Sequence, residues 1–130
     1  PKERRDHSSF IHKAKGHVLI NGLGMGGCLN SVINSSEVES VTVIESNENV
    51  IKLVGGNFPD AEIIHADAFE WKSPKGKRYG AVWHDIWADI SLDNLPEMHK
   101  LHRKYGRKAD WQGSWSRGEL EYYKSRERRY

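Results

Sequence analysis

The sequence predicts one α/β domain spanning residues 1–130, a parallel sheet of strand order 3-2-1-4 with flanking helices. Three observations predict it. Short β-branched runs alternate with stretches whose apolar residues recur at helical spacing. A glycine-rich turn joins the first run to the first helical stretch. The second and fourth runs end on an acid, Glu45 and Asp85, and Asp67 follows the third. In a sheet of this order the chain reverses direction beside strand one, and ligands bind outside the carboxyl ends of the strands there.

Taken in order, Phe10, Ile11 and Ala14 form the apolar side of a short N-terminal helix that Gly16 ends. Residues 17–21, His-Val-Leu-Ile-Asn, read as a buried first strand. The turn Gly22-Leu23-Gly24-Met25-Gly26-Gly27 follows, and Leu29, Val32 and Ile33 mark a helix opening directly from it. Residues 41–45 are the second strand. Ser46 or Asn47 caps the next helix, with Val50, Ile51 and Val54 on one face. Gly55 and Gly56 stop that helix, and Pro59 confirms the break. Residues 61–65 form strand three and residues 79–85 strand four, separated by a polar loop over residues 73–78.

Beyond Asp85, Leu92, Leu95, Met98 and Leu101 predict a helix with Pro96 near its first turn, and residues 119–129 a terminal helix. Residues 111–115 read as a packed loop or a flap over a pocket, so no fifth strand is expected and strand four is left at the sheet edge. An open edge calls for a cover, either a tail helix or a second subunit, so a homo-oligomer is expected.

The net charge of +2 is unevenly spread: residues 1–17 and 99–130 are basic and residues 18–98 acidic. A solvated helix face explains the basic ends better than nucleic-acid contact. No apolar run has the roughly 20 residues of a membrane helix, and the first residues do not look like a signal peptide. With Cys28 as the lone cysteine, a reducing, cytoplasmic setting is expected. The seven histidines and Cys28 have no zinc-like spacing, so no metal is expected, and no Ser-His-Asp nucleophile elbow occurs.

The turn satisfies Gly-x-Gly-x-x-Gly between a strand and a helix. Glycine suits a backbone that bends at positive φ and lies against a ligand, and the helix start behind it offers unpaired N–H groups. Glu45, 18 residues past Gly27, can accept hydrogen bonds from both ribose hydroxyls. Asp67 can accept from an adenine amino group while Ala68 presents its backbone N–H to the ring; alternatively Asp67 caps the turn that follows. Both NAD and S-adenosylmethionine fit the glycine turn and Glu45. Trp87 stacks on adenine or substrate, or packs into the core. Asp85 and Asp89 are candidates for holding an acceptor amine, or for structural pairing with Arg4, Arg5 or Lys100.

The runs Val18-Leu19-Ile20-Asn21-Gly22-Leu23-Gly24-Met25-Gly26-Gly27, Val41-Thr42-Val43-Ile44-Glu45 and His65-Ala66-Asp67-Ala68 resemble the class I S-adenosylmethionine-dependent methyltransferases, within them the spermidine-synthase-like branch. The resemblance covers roughly residues 16–90. It implies a Rossmann-like sheet, here shortened relative to the seven-stranded methyltransferase fold. It also implies S-adenosylmethionine or its decarboxylated form as cofactor. Gly22, Leu23, Gly24, Met25, Gly26 and Gly27 would line that cofactor, Glu45 with Ser46 would hold the ribose, Asp67 and Ala68 the adenine. Asp85 would sit beside the reacting sulfonium, with Asp89 and Trp87 nearby. Spermidine synthases place two acids three apart after strand four, followed by Pro; here Asp85 and Asp89 are four apart and no Pro follows. The implied activity is methyl transfer to a small-molecule or polyamine acceptor. The alternatives are aminopropyl transfer and a non-catalytic nucleotide-binding or interaction module.

Overall fold

A computed structural model describes residues 8–23, 28–87 and 92–115. Among them, helix α1 (Ser8–Lys13) precedes β1 (Gly16–Asn21), and α2 (Leu29–Ile33) leads to β2 (Val38–Glu45). Helix α3 (Glu48–Val54) runs into a 3₁₀ turn (Gly55–Asn57) before β3 (Glu62–His65). Strand β4 (Ala81–His84), α4 (Asn94–Tyr105) and β5 (Gln112–Ser114) complete the described fold. The sheet order is β3-β2-β1-β4-β5, with every neighbouring pair parallel. The direction of progression reverses between β1 and β4, where the sequence placed it.

Local chemistry explains the elements. The Asn47 side chain accepts from the backbone N–H groups of Asn49 and Val50, capping α3. Strand β1 buries every residue from Val18 to Asn21, as a central parallel strand covered on both faces must. Residues paired in register point to the same face. Val18 and Ile20 therefore share a face with Ala81 and Trp83, and Leu19 and Asn21 with Val82 and His84.

The first of these faces is built on aromatic stacking. Phe10 of α1 lies 5.3 Å from the Trp83 ring and 6.4 Å from Trp111, both nearly parallel to it. Burying an aromatic or aliphatic side chain of this kind stabilises the fold by about 1.5–3 kcal/mol. Leu95, Met98, Leu101 and Tyr105 of α4 are buried. On the second face His84 meets the rings of His102 and Tyr105, both of α4.

The fold corrects the reading of residues 111–115. They are not a loop: β5 pairs with β4 and takes the edge that the sequence left to a tail helix or a second subunit. Its composition hid it. Gln112 and Ser114 face α4, where they bond to His84 and His102. Gly113 faces the aromatic stack, and a Cβ there would lie 2.6 Å from Trp111 and 2.9 Å from Trp83. Polar residues and a glycine give no β-branched signal, yet this strand needs all three. Strand β2 begins at Val38, three residues before the expected start. The expected terminal helix over residues 119–129 lies outside the described residues. No helix among them is long and apolar enough to cross a membrane.

Candidate functional site

The carboxyl ends of β1, β2 and β4 converge through the backbone. The Gly22 N–H donates to the Ile44 carbonyl at 2.8 Å, and the Asp85 N–H to the Asn21 carbonyl at 2.7 Å. The Ala66 N–H reaches the Glu45 carbonyl at 3.1 Å, drawing in the segment after β3. One rim therefore carries the start of the glycine bend, Glu45, the residues up to Asp67, and Asp85.

Gly22 is required at the first corner of the bend. Its φ is +101°, and a Cβ would collide with the backbone carbonyl of Asp85. The bend and the end of β4 thus touch backbone to backbone.

Glu45 faces the bend. Its Oε1 accepts from the Leu23 N–H at 2.7 Å and its Oε2 from the Asn47 N–H at 2.9 Å. The carboxylate is half-buried and oriented by two backbone donors on opposite oxygens. Each oxygen keeps a second lone pair for a further donor. Ser46 is exposed beside it, with its carbonyl bonded to His65 Nε2 at 3.0 Å.

Asp67 is exposed after β3, and its Oδ1 accepts from the Phe69 N–H at 2.8 Å. The Glu70 and Trp71 N–H groups close on its carbonyl. Asp67 is therefore the cap of a tight turn, the simpler of the two roles read from the sequence, with Oδ2 outside that cap. Ala68 is buried, and no acceptor among the described residues takes its backbone N–H.

Asp85 is half-buried at the end of β4. Burial first, then the negative charge of Asp85, pushes the Cys28 thiol up to about 12, so Asp85 lies within electrostatic reach of the residue that follows the glycine turn. Trp87 is buried, and its indole N–H donates to Glu97 at 2.9 Å, which matches the core-packing alternative. Gly24, Met25, Gly26, Gly27 and Asp89 lie outside the described residues. No cluster of metal-ligating side chains occurs among the described residues.

Four contributors escaped the sequence reading. Asn21, fully buried directly before the bend, donates from Nδ2 to His84 Nδ1 at 2.9 Å. Gln112 donates to the His102 carbonyl, so its amide oxygen is the acceptor facing His84 Nε2 at 3.0 Å. His84 is thus held as the Nε2–H tautomer, with Nδ1 accepting from Asn21. Two of these side chains immediately precede Gly22 and Asp85, so the network sets the spacing of the rim from beneath. The fourth is Lys104 of α4, whose ammonium bonds to backbone carbonyls of the turn after Asp67. A histidine ending a strand is the only sequence signal among them.

No protein-family model matches the chain. Among curated proteins it is 30% identical over 115 residues to polyamine aminopropyltransferase 1 of Streptomyces coelicolor, covering 76% of this chain and 22% of that protein. It is 28% identical over 110 residues to the polyamine aminopropyltransferase of Prochlorococcus marinus, covering 72% of this chain and 39% of that protein. The chain thus spans less than half the length of either relative. Among solved structures, the plantazolicin methyltransferase BpumL in complex with SAH superposes with a TM-score of 0.59 at 18% identity, over 80% of this chain and 38% of that one. The chain has the fold of the class I S-adenosylmethionine-dependent methyltransferases, and in sequence it is similar to the polyamine aminopropyltransferases of the spermidine-synthase-like branch.

Proposed function

We propose that the chain binds S-adenosylmethionine, or its decarboxylated form, on the rim between β1, β2 and β4. On this reading it is a transferase that moves a methyl group to a small-molecule or polyamine acceptor. The observation that carries the reading is the Glu45 carboxylate, fixed against the Leu23 N–H at the mouth of the glycine bend. Its remaining lone pairs suit the two ribose hydroxyls.

The other residues fit the same ligand. Gly22 keeps its own corner of the bend free of a side chain, and Leu23, Gly24, Met25, Gly26 and Gly27 are assigned to cofactor contact on the same reading. Ser46 flanks the ribose. Asp67 keeps an oxygen for the adenine amino group, and the Ala68 N–H is free for a ring nitrogen. Trp87, buried with its indole N–H on Glu97, stands two residues after Asp85. When bound, S-adenosylmethionine supplies a sulfonium whose alkyl carbon is already activated toward displacement. The protein's task is then mainly in-line positioning. Asp85 and Asp89 hold and orient an acceptor amine and take its proton.

Isothermal titration with S-adenosylmethionine and S-adenosylhomocysteine tests the reading, with binding expected for both. Absence of binding by either at millimolar concentration overturns it, and tight NADH binding in its place would point to a dehydrogenase site.

A second reading is aminopropyl transfer, favoured by the likeness to two polyamine aminopropyltransferases and by Asp85 at the end of β4. Incubation with decarboxylated S-adenosylmethionine and putrescine should then yield spermidine, and Asp85→Asn should be inert. Binding without turnover of either donor would leave a non-catalytic nucleotide-binding module.

A further inference from the structure

Lys104 makes an unusual set of contacts for a lysine on an amphipathic helix. Its Nζ donates to the Ala68 carbonyl at 2.9 Å, to the Phe69 carbonyl at 3.1 Å, and to the Trp71 carbonyl. An ammonium has three protons, and all three are directed at carbonyls of one turn. One turn of helix earlier, Lys100 lies 5.5 Å from the centre of the Phe69 ring, a second link from α4 to the same segment. The turn is the one that Asp67 opens.

A peptide group has two ends, and this decides what the lysine does. Drawing the Ala68, Phe69 and Trp71 carbonyls toward α4 fixes the peptide planes of the turn. The N–H groups of Phe69, Glu70 and Trp71 are consumed on Asp67. The Ala68 N–H is left over, with no acceptor among the described residues, in a residue that is only 6% exposed. A buried N–H without a partner is costly unless a ligand takes it. Burial, then the neighbouring Lys108, lowers the Lys104 ammonium from its ordinary value, and the Asp67 carboxylate opposes that shift.

We propose that Lys104 is a positioning residue for purine recognition: it clamps the residue 67–71 turn so that the Asp67 carboxylate and the Ala68 N–H present one acceptor and one donor, the pattern complementary to the 6-amino group and N1 of adenine. The inference rests on the adenosyl-binding reading above and deepens it by assigning base specificity to a residue on α4. Hypoxanthine reverses the pattern, with an oxo group at position 6 and a proton on N1, so a correctly held turn rejects it.

The test compares S-adenosylhomocysteine with S-inosylhomocysteine by isothermal titration against the wild type, Lys104→Met and Lys104→Arg. The wild type should favour the adenine ligand by at least about tenfold, since a site built on paired polar groups discriminates strongly against a mismatched partner. Lys104→Met should lose about tenfold in affinity for the adenine ligand and change little toward the inosine ligand, so that the preference collapses. Lys104→Arg, which keeps the charge and several donors, should restore part of the preference, and it carries the comparison if Lys104→Met fails to fold.

A preference unchanged in Lys104→Met overturns the proposal, whether both affinities are kept or both fall together, because a merely structural lysine would behave so. A wild type that binds both ligands equally also overturns it. A wild type that binds neither removes the adenosyl reading itself, which is a separate and recognisable result.

Discussion

Asn21 and His84 stand side by side on paired strands, and the amide Nδ2 of one donates to Nδ1 of the other at 2.9 Å in the fully buried interior. Each is followed directly by a residue of the candidate rim, Gly22 and Asp85. The Tyr105 hydroxyl and Asn21 Oδ1 are buried near them without closing a hydrogen bond among the described residues. Burial, followed by the neighbouring Tyr79, pushes the Tyr105 phenol up to about 12.

Removing the donor from this pair should be costly. Asn21→Ala leaves His84 Nδ1 buried without that donor, and a buried acceptor stripped of its partner costs about 1–3 kcal/mol. Urea denaturation of the variant should show a lower midpoint with an unchanged slope. A midpoint equal to that of the wild type would mean that the pair contributes nothing.

Two glycines with positive φ should respond differently to alanine. At Gly16, with φ +59°, a Cβ meets nothing within 4 Å, so Gly16→Ala should cost only the left-handed backbone strain of about 1–2 kcal/mol. At Gly22 the same strain is joined by collision with the Asp85 carbonyl. Gly22→Ala should therefore be the more destabilised of the two in parallel urea melts. It should also lose S-adenosylhomocysteine binding. Equal midpoints would refute the close approach of the bend to β4.

Glu45→Gln should separate orientation from charge. The amide keeps one oxygen for Leu23 or Asn47 but turns an NH₂ toward the other N–H donor, so the side chain cannot hold its present pose. Affinity for S-adenosylhomocysteine should fall about tenfold or more, as when a buried polar partner is mismatched. Calorimetric titration checks this, and unchanged affinity would remove Glu45 from the site.

Alkaline stability should decline through two buried groups. Cys28 stands at about 12 in the folded chain against 9.0 for an ordinary thiol, and Tyr105 at about 12 against 10.0. Below pH 9 both are protonated whether the chain is folded or not, and pH has no effect through them. Between pH 9 and 12 the unfolded chain releases protons that the folded chain retains, so stability falls as pH rises. Cys28→Ala should flatten the early part of that decline in urea midpoints taken at successive pH values. The same raised thiol should make wild-type Cys28 slow toward iodoacetamide at pH 8 until the protein is unfolded.

Much of the architecture could be read along the chain because it rests on local chemistry. The runs around Val18, Val43 and Val82 are strand-forming whatever surrounds them, and Asn47 caps a helix by bonding to groups two and three residues away. The glycine bend and Glu45 announced the rim, since a strand-to-helix turn with a strand-end acid is a local pattern. Strand β5 escaped because Gln-Gly-Ser has no strand preference of its own. It exists because His84 and His102 offer bonds to Gln112 and Ser114, and because the Trp83 and Trp111 rings need the space over Gly113.

The sequence by itself determined the alternation of strands and helices, the order of the first four strands and the acids at their ends, because these follow from backbone preferences and spacing over a few residues. Only the tertiary structure decided that Asn21 meets His84 across 63 positions, that Lys104 closes on carbonyls 33 to 36 residues before it, and that a fifth strand pairs with β4. Those contacts join residues with no local reason to meet. They form once the hydrophobic faces have brought the sheet and α4 together, when each buried polar group must find a partner near at hand.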